Sequence, residues 1–100
     1  MLNINKQAEN GKLVIALEGR LDTTTSPVLE VELKSSLDGV TELIMDFEKL
    51  EYISSAGLRF FMQLKRESEA KGGSIRITHL NEDVDDIFRM SGFHNLFTIE

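Results

Sequence analysis

Hydroxyl side chains gather at two places in this 100-residue chain: Ser54-Ser55 within YISSAGLRFF, residues 52–61, and Thr23-Thr24-Thr25-Ser26 after Leu21-Asp22. A serine at the head of a helix has two common uses. Its oxygen can accept an N–H of the first turn, a cap worth about 1 kcal/mol. It can also carry a phosphoryl group, because the unpaired N–H groups and the dipole of a helix start favour the added charge of about −1.5 to −2. Nucleophilic attack is a third use, and it needs a base within reach. The G-x-S-x-G turn that presents such a nucleophile is absent, since Ile53 stands two residues before Ser55. The imidazoles of His79 and His94 fall at a strand end and in a late turn, at no spacing that predicts contact with Ser55. No catalytic residue is expected, and the chain does not read as an enzyme.

Carboxylates offer a different chemistry. Asp22, Asp46, Glu48 and Glu51 lie in or next to the two hydroxyl-rich segments, but no pair has the spacing of a cation-binding loop. No metal or cofactor is expected. The acidic run from Glu82 to Asp86 is explained as compensation of a helix dipole. Gly72-Gly73 follow a helix instead of preceding one, so they make no phosphate cradle.

Both hydroxyl clusters must be positioned by the elements around them. Leu2 and Ile4 alternate with asparagines as in an edge strand, and Glu9-Asn10-Gly11 reads as a hairpin turn. Leu13 to Leu17 is apolar on both faces, like a central strand, and is expected to end at Gly19. After a loop, Ser26-Pro27 begins a helix in which serine caps and proline occupies the first position. Leu29, Leu33 and Leu37 carry it to Asp38-Gly39, with Glu30 and Lys34 paired on its other side. A second strand covers Leu43 to Phe47, followed by a loop from Glu48 to Ser55. Leu58, Phe61, Met62 and Leu64 form the inner stripe of the next helix, which Gly72-Gly73 end. Ile75 and Ile77 mark a half-exposed strand. Asn81 caps a third helix with Val84, Ile87 and Phe88 inward, Gly92 closes it, and Leu96 to Ile99 supplies a last strand. The order β-β-α-β-α-β-α, optionally closed by a β, predicts an α/β domain with a mixed four- to five-stranded sheet and crossover helices. In such sheets, sites gather where strands end and helices begin.

Composition narrows the partners. Seventeen acidic against eleven basic residues give a net charge of −6, which repels phosphate backbones and argues against nucleic acid. The longest uninterrupted apolar run, Leu13 to Leu17, is far short of the ~20 residues of a membrane-spanning helix, and MLNINK lacks a signal peptide's apolar stretch. With no cysteine, the chain is expected in the reducing cytoplasm. Leu50, Tyr52, Ile53, Leu58 and Phe60 surround Ser55. They either leave an apolar, protein-binding patch around the hydroxyl or cover the sheet edge.

Three stretches resemble a known family. ALEGRLDTTTSPVLE looks like its strand, Gly-x-Leu-Asp and hydroxyl-rich helix start. LIMDFEKLEYISSAGLRFF is similar to its strand-Asp and Tyr-Ile-Ser-Ser-x-Gly-Leu motif, and FRMSGFHNLFTI to its closing helix and terminal strand. These are signatures of the STAS domain, in particular of the free-standing bacterial anti-sigma factor antagonists; the likeness runs from about Leu2 to Ile99, and residues 1–100 are expected to form one such domain. The resemblance implies a partner switch. Such a protein, unmodified, binds an anti-sigma factor that is a serine kinase, and so frees a sigma factor. The kinase phosphorylates the antagonist on a serine at the helix start, and a PP2C-type phosphatase restores it. By position that serine is Ser55, with Ser54 as the second choice. The implied partner-binding residues are Asp22, Thr23, Thr24, Thr25, Tyr52, Ile53, Ser54, Ala56, Gly57 and Leu58. Many members carry Asp where this chain has Ser54. The resemblance also embraces constitutive STAS subunits of stress-signalling or lipid-transport assemblies, in which Ser55 would be a plain cap.

Overall fold

The computed structural model describes residues 2–34 and 36–100. Eight main elements follow the expected order: β1 (Leu2–Glu9), β2 (Lys12–Leu21), α1 (Ser26–Lys34), β3 (Glu42–Ile53), α2 (Ser55–Ala70), β4 (Ser74–Thr78), α3 (Glu82–Ser91) and β5 (Thr98–Ile99). They build one five-stranded sheet in the order β1-β2-β3-β4-β5. Asn10 and Gly11, both at positive φ (49° and 82°), turn the antiparallel β1–β2 hairpin, as the expected I′-type turn requires. All later neighbours are parallel.

Each crossover advances one strand in the same direction. Right-handed connections therefore lay all three helices on one face of the sheet. Leu29 and Leu33 of α1, Leu58, Phe61 and Leu64 of α2, and Val84 and Phe88 of α3 share a single core with the inward side chains of β2, β3 and β4. Phe47 stands at its centre, with ring centroids 5.3 Å from Phe61 and 6.2 Å from Phe88. Val14 and Ala16 face the other side of β2 and are only half-buried, so the run from Leu13 to Leu17 is covered by helices on one face, not both.

The two loops expected to carry chemistry are shorter than the sequence implies. β2 does not stop at Gly19 but passes through it at φ +112° and continues to Leu21. β3 does not stop at Phe47 but runs to Ile53. The register between these strands shifts twice, between Ala16 and Glu18 and between Gly19 and Arg20. Such bulges break the period of two, so Phe47, Leu50 and Ile53, three residues apart, all return to the core. The Asn81 side chain holds the bulged strand. Its amide nitrogen reaches the carbonyls of Phe47, Glu48 and Leu50 at 2.9, 3.2 and 2.7 Å. Its oxygen accepts the Val84 N–H at 3.0 Å, capping α3 as expected.

Three helix details also depart from expectation. Ser26 does not cap α1: it is the first helical residue, and its buried Oγ has no hydrogen-bond partner among the described residues. The turn before α1 is organised by Asp22, whose Oδ1 accepts Thr24 N–H (3.0 Å), Thr24 Oγ1–H (2.7 Å) and Thr25 N–H (3.1 Å). α1 is described only to Lys34, and residues 36–39 contain turns rather than helix. Ser36 Oγ donates to the Glu32 carbonyl at 3.0 Å, the acceptor its own N–H would use in a continuing helix. In α3, Ile87 is half-exposed beside the buried Val84 and Phe88. The last strand is reduced to Thr98–Ile99, because Phe93–Asn95 forms a 3₁₀ turn that stacks Phe93 on Phe97.

Two outcomes follow from these contacts. Asn81→Ala removes a cap and three carbonyl partners and should cost about 2–3 kcal/mol in urea unfolding. Asn81→Asp, an equally good cap elsewhere, should cost at least as much, because a carboxylate cannot donate to the β3 carbonyls. The hydrogen bonds from the Thr24 hydroxyl and from the Thr25 and Thr24 amides hold the Asp22 carboxyl down from 3.8 to about 2. Its contribution to stability is full above pH ~4 and is lost as pH falls through about 2. An NMR titration of the Asp22 carboxyl should give that low midpoint in the native chain and a higher one in Thr24→Val.

Candidate functional site

The carboxyl ends of β2 and β3 lie side by side, Leu21 opposite Ile53. The Ser54 N–H extends that pairing by donating to Leu21 O at 2.8 Å. The Asp22–Thr25 turn and the Ser54-Ser55 helix start are thereby brought together at one edge of the sheet. Ser54, at φ −88° and ψ 172°, is the N-cap of α2; its Oγ accepts the Gly57 N–H at 3.3 Å and its carbonyl accepts the Leu58 N–H at 2.9 Å. Ser55 is the first helical residue and is exposed, and its hydroxyl makes no hydrogen bond among the described residues. The two serines, indistinguishable by type, thus occupy different positions: one holds the helix end, and the other stands free over it.

Gly57 explains how α2 begins so close to the strand ends. A Cβ there would lie 2.9 Å from Ile53 Cγ1 and 3.0 Å from Leu21 Cδ2, distances real Cβ atoms do not adopt. Expected among the partner-binding residues, Gly57, Ile53 and Leu58 are buried, Ile53 at 1% and Leu58 at 7% exposure. They form the floor of the site rather than its surface, because the first turn of α2 is pressed onto the ends of β2 and β3. Leu50 is likewise in the core, whereas Tyr52 and Phe60 remain half-exposed. Thr23 and Thr24 are exposed; Asp22, Thr25 and Ala56 are partly covered. Thr25 Oγ1 accepts the Asp22 N–H and donates to Arg20 O, both at 2.8 Å.

Beside Ser55 lies a shallow depression of about 310 Å³, lined by Tyr52, Ile53, Ser55, Leu58, Ile87, Met90 and Ser91. Its α3 wall was missing from the sequence reading, which placed Ile87 inside and did not single out Met90. Met90 is 89% exposed, three residues beyond Ile87 on the same face of α3. That spacing was the available signal. The Arg20 guanidinium sits 4.5 Å over the Tyr52 ring, the geometry of an exposed cation–π pair.

The imidazoles stand in other company. His79 Nδ1 is 3.2 Å from Asp46 Oδ1, and His94 Nε2 is 3.4 Å from Asp85 Oδ1. Neither makes a hydrogen bond to Ser55. Of the four carboxylates considered as ligands, two are engaged locally, Asp22 by its threonines and Asp46 by the Glu48 N–H at 3.0 Å and by His79, while Glu48 and Glu51 are exposed. Among the described residues, no three His, Cys, Asp or Glu side chains come together as a metal site would need. No described helix is long and apolar enough to cross a membrane.

Comparison with known proteins places this geometry. The STAS domain model matches residues 3–100. BtrV of Bordetella bronchiseptica, provisionally named an anti-sigma factor antagonist, is 31% identical over 90% of this chain and 78% of its own. The anti-sigma-B factor antagonist of Bacillus subtilis is 27% identical over 98% of this chain and 92% of its own. Among solved structures, the anti-sigma factor antagonist SpoIIAA matches in its unphosphorylated form with a TM-score of 0.75 (20% identity, 100% of this chain and 87% of that one). Its phosphorylated form, from Bacillus, matches with a TM-score of 0.76 (22% identity, 98% and 91%). With nearly every described residue inside the family match, and with the sheet order and helix start that match implies, this chain belongs to the STAS domain family.

Proposed function

We propose that the protein is an anti-sigma factor antagonist acting in the cytoplasm as a phosphorylation-controlled binding protein, without catalytic activity of its own. Unmodified, it binds an anti-sigma factor through the surface formed by the Asp22–Thr25 turn, the start of α2 and the depression beside Ser55, and a sigma factor is released. The anti-sigma factor is a serine kinase that ends the complex by modifying Ser55. The Ser55 oxygen forms the new bond to the γ-phosphorus of ATP as the bond to ADP breaks, and its proton passes to a base on the kinase. A PP2C-type phosphatase hydrolyses the ester and returns the chain to its binding state.

The observation that carries this reading is the division of labour between the serines. Ser55 is exposed and its hydroxyl makes no hydrogen bond among the described residues, while Ser54 caps the helix. Phosphorylation at Ser55 therefore breaks no internal hydrogen bond, and the negative ester sits where the helix end favours it. The near-equal likeness to both forms of SpoIIAA is in keeping with a fold that survives the change. At the partner surface the same charge is costly. A loss of ~3 kcal/mol lowers affinity more than 100-fold, and a dianion facing an acidic or closely packed surface supplies that much.

Mass spectrometry after incubation with the cognate kinase and ATP should place one phosphate on Ser55. It should be absent from Ser55→Ala and retained in Ser54→Ala, which loses about 1 kcal/mol of stability. Phosphate on Ser54, or on neither serine, would overturn the assignment. Ser55→Asp should bind the kinase at least tenfold more weakly by calorimetry, with an unchanged circular dichroism spectrum.

A further inference from the structure

Arg59 is exposed and makes no hydrogen bond or ion pair among the described residues. It differs in this from Arg76, which bridges Glu42 and Glu100 at 2.8 Å each, and from Arg89, 2.9 Å from Asp85. Arg59 lies four residues beyond Ser55 in the same continuous helix. Residues at that spacing are surface neighbours with Cβ atoms about 5–6 Å apart, and an acidic group N-terminal to the cation is the favourable order. Leu58, Phe61 and Leu64 hold the buried side of α2, so the Ser55–Arg59 row runs along solvent with both groups free.

We propose that Arg59 is the intramolecular counter-ion of the modification site: when Ser55 carries a phosphate ester, the guanidinium one turn along α2 folds back and binds it. The contact rests on Ser55 being the phosphorylated residue. A guanidinium presents two parallel N–H donors that match two phosphate oxygens, and four residues of helix bring it into range without backbone movement. The consequence for the switch is twofold. Phosphorylation adds about two negative charges and simultaneously ties down a cation that the unmodified surface offers to a partner. The two forms then differ at two adjacent positions rather than one. Arg66, seven residues further along α2 and also exposed, is too distant to reach the ester and serves as the charge-matched control.

The test does not require the kinase. Phosphoserine is incorporated at position 55 during translation in the full chain, in Arg59→Gln and in Arg66→Gln, each compared with its unmodified counterpart. In the native sequence the Arg59 Nε–H signal, identified by its loss in Arg59→Gln, should move on phosphorylation. The ester should raise the thermal midpoint about 2–4 °C more in the native sequence and in Arg66→Gln than in Arg59→Gln. An unmoved Arg59 signal, or equal midpoint increments in all three chains, overturns the proposal. A kinase that leaves Ser55 untouched would defeat the proposed function while leaving these measurements readable, so the two failures are separate.

Discussion

The pairing of the carboxyl ends of β2 and β3 fixes the rest of the site. Without the two register shifts, a regular period of two from Phe47 would turn Lys49 and Glu51 inward in place of Leu50. With them, Leu21 meets Ile53, and the Ser54 N–H closes the ladder on Leu21 O at 2.8 Å. The first turn of α2 is then pressed against Leu21 and Ile53 so closely that position 57 has no room for a Cβ. Ser54 becomes the cap because its N–H is the last rung of the sheet while its Oγ is the first acceptor of the helix. The hydroxyl of Ser55, the first helical residue, is left outside both ladders. Its freedom is a consequence of how tightly its neighbour is held.

That arrangement separates the groups that shape the edge from those proposed to signal there. Bulges carry unpaired backbone groups that would cost about 1–3 kcal/mol each if buried unsatisfied; the amide of Asn81, reaching from the start of α3, supplies partners to three β3 carbonyls. Asp22 spends its carboxylate on the threonines of its own turn, so it orders the α1 entrance instead of holding a cation. The groups that give the edge its shape are consumed by that task. Among the described residues, groups left unengaged there include Ser55, Arg59 and the exposed Met90, side chains whose change leaves the core untouched.

Periodicity revealed the fold and the helix starts well, because most of the chain obeys simple rules. The Asn10-Gly11 turn, the Asn81 cap, the Gly92 stop and the α2 stripe all appear where side-chain chemistry places them. The errors concentrate where a rule of period two was broken by tertiary pairing. Leu50 and Ile53 read as loop residues because a straight strand from Phe47 would point Lys49 and Glu51 inward. The same cause hid the burial of Ile53, which the sequence places in a loop and the structure places in the core. Ser26 was mistaken for a cap because the sequence cannot tell an Asp four residues earlier from a serine at the boundary. The depression beside Ser55 depends on α3, about thirty residues away in sequence; the Ile87–Met90 spacing marks a face of α3 but does not say that this face lines the same depression as Ser55.

Ser54 has an electrostatic meaning that its capping role alone does not exhaust. Aspartate, which resemblance leads one to expect at this position, caps a helix about as well as serine. It would also place a full negative charge beside the modified hydroxyl. At a separation of about 5 Å in a water-like dielectric, a carboxylate and a dianion repel by about 1–2 kcal/mol. A neutral cap removes that repulsion, so the ester proposed for Ser55 would be less costly to carry in this chain than beside an aspartate. The surface proposed to meet a partner is also one charge less negative than it would be with aspartate, and it presents the Ser55 hydroxyl and the Arg59 guanidinium. In the proposed switch, the contrast between the two states therefore rests on the phosphate itself, arriving at a neutral helix tip, and not on its addition to charge already there.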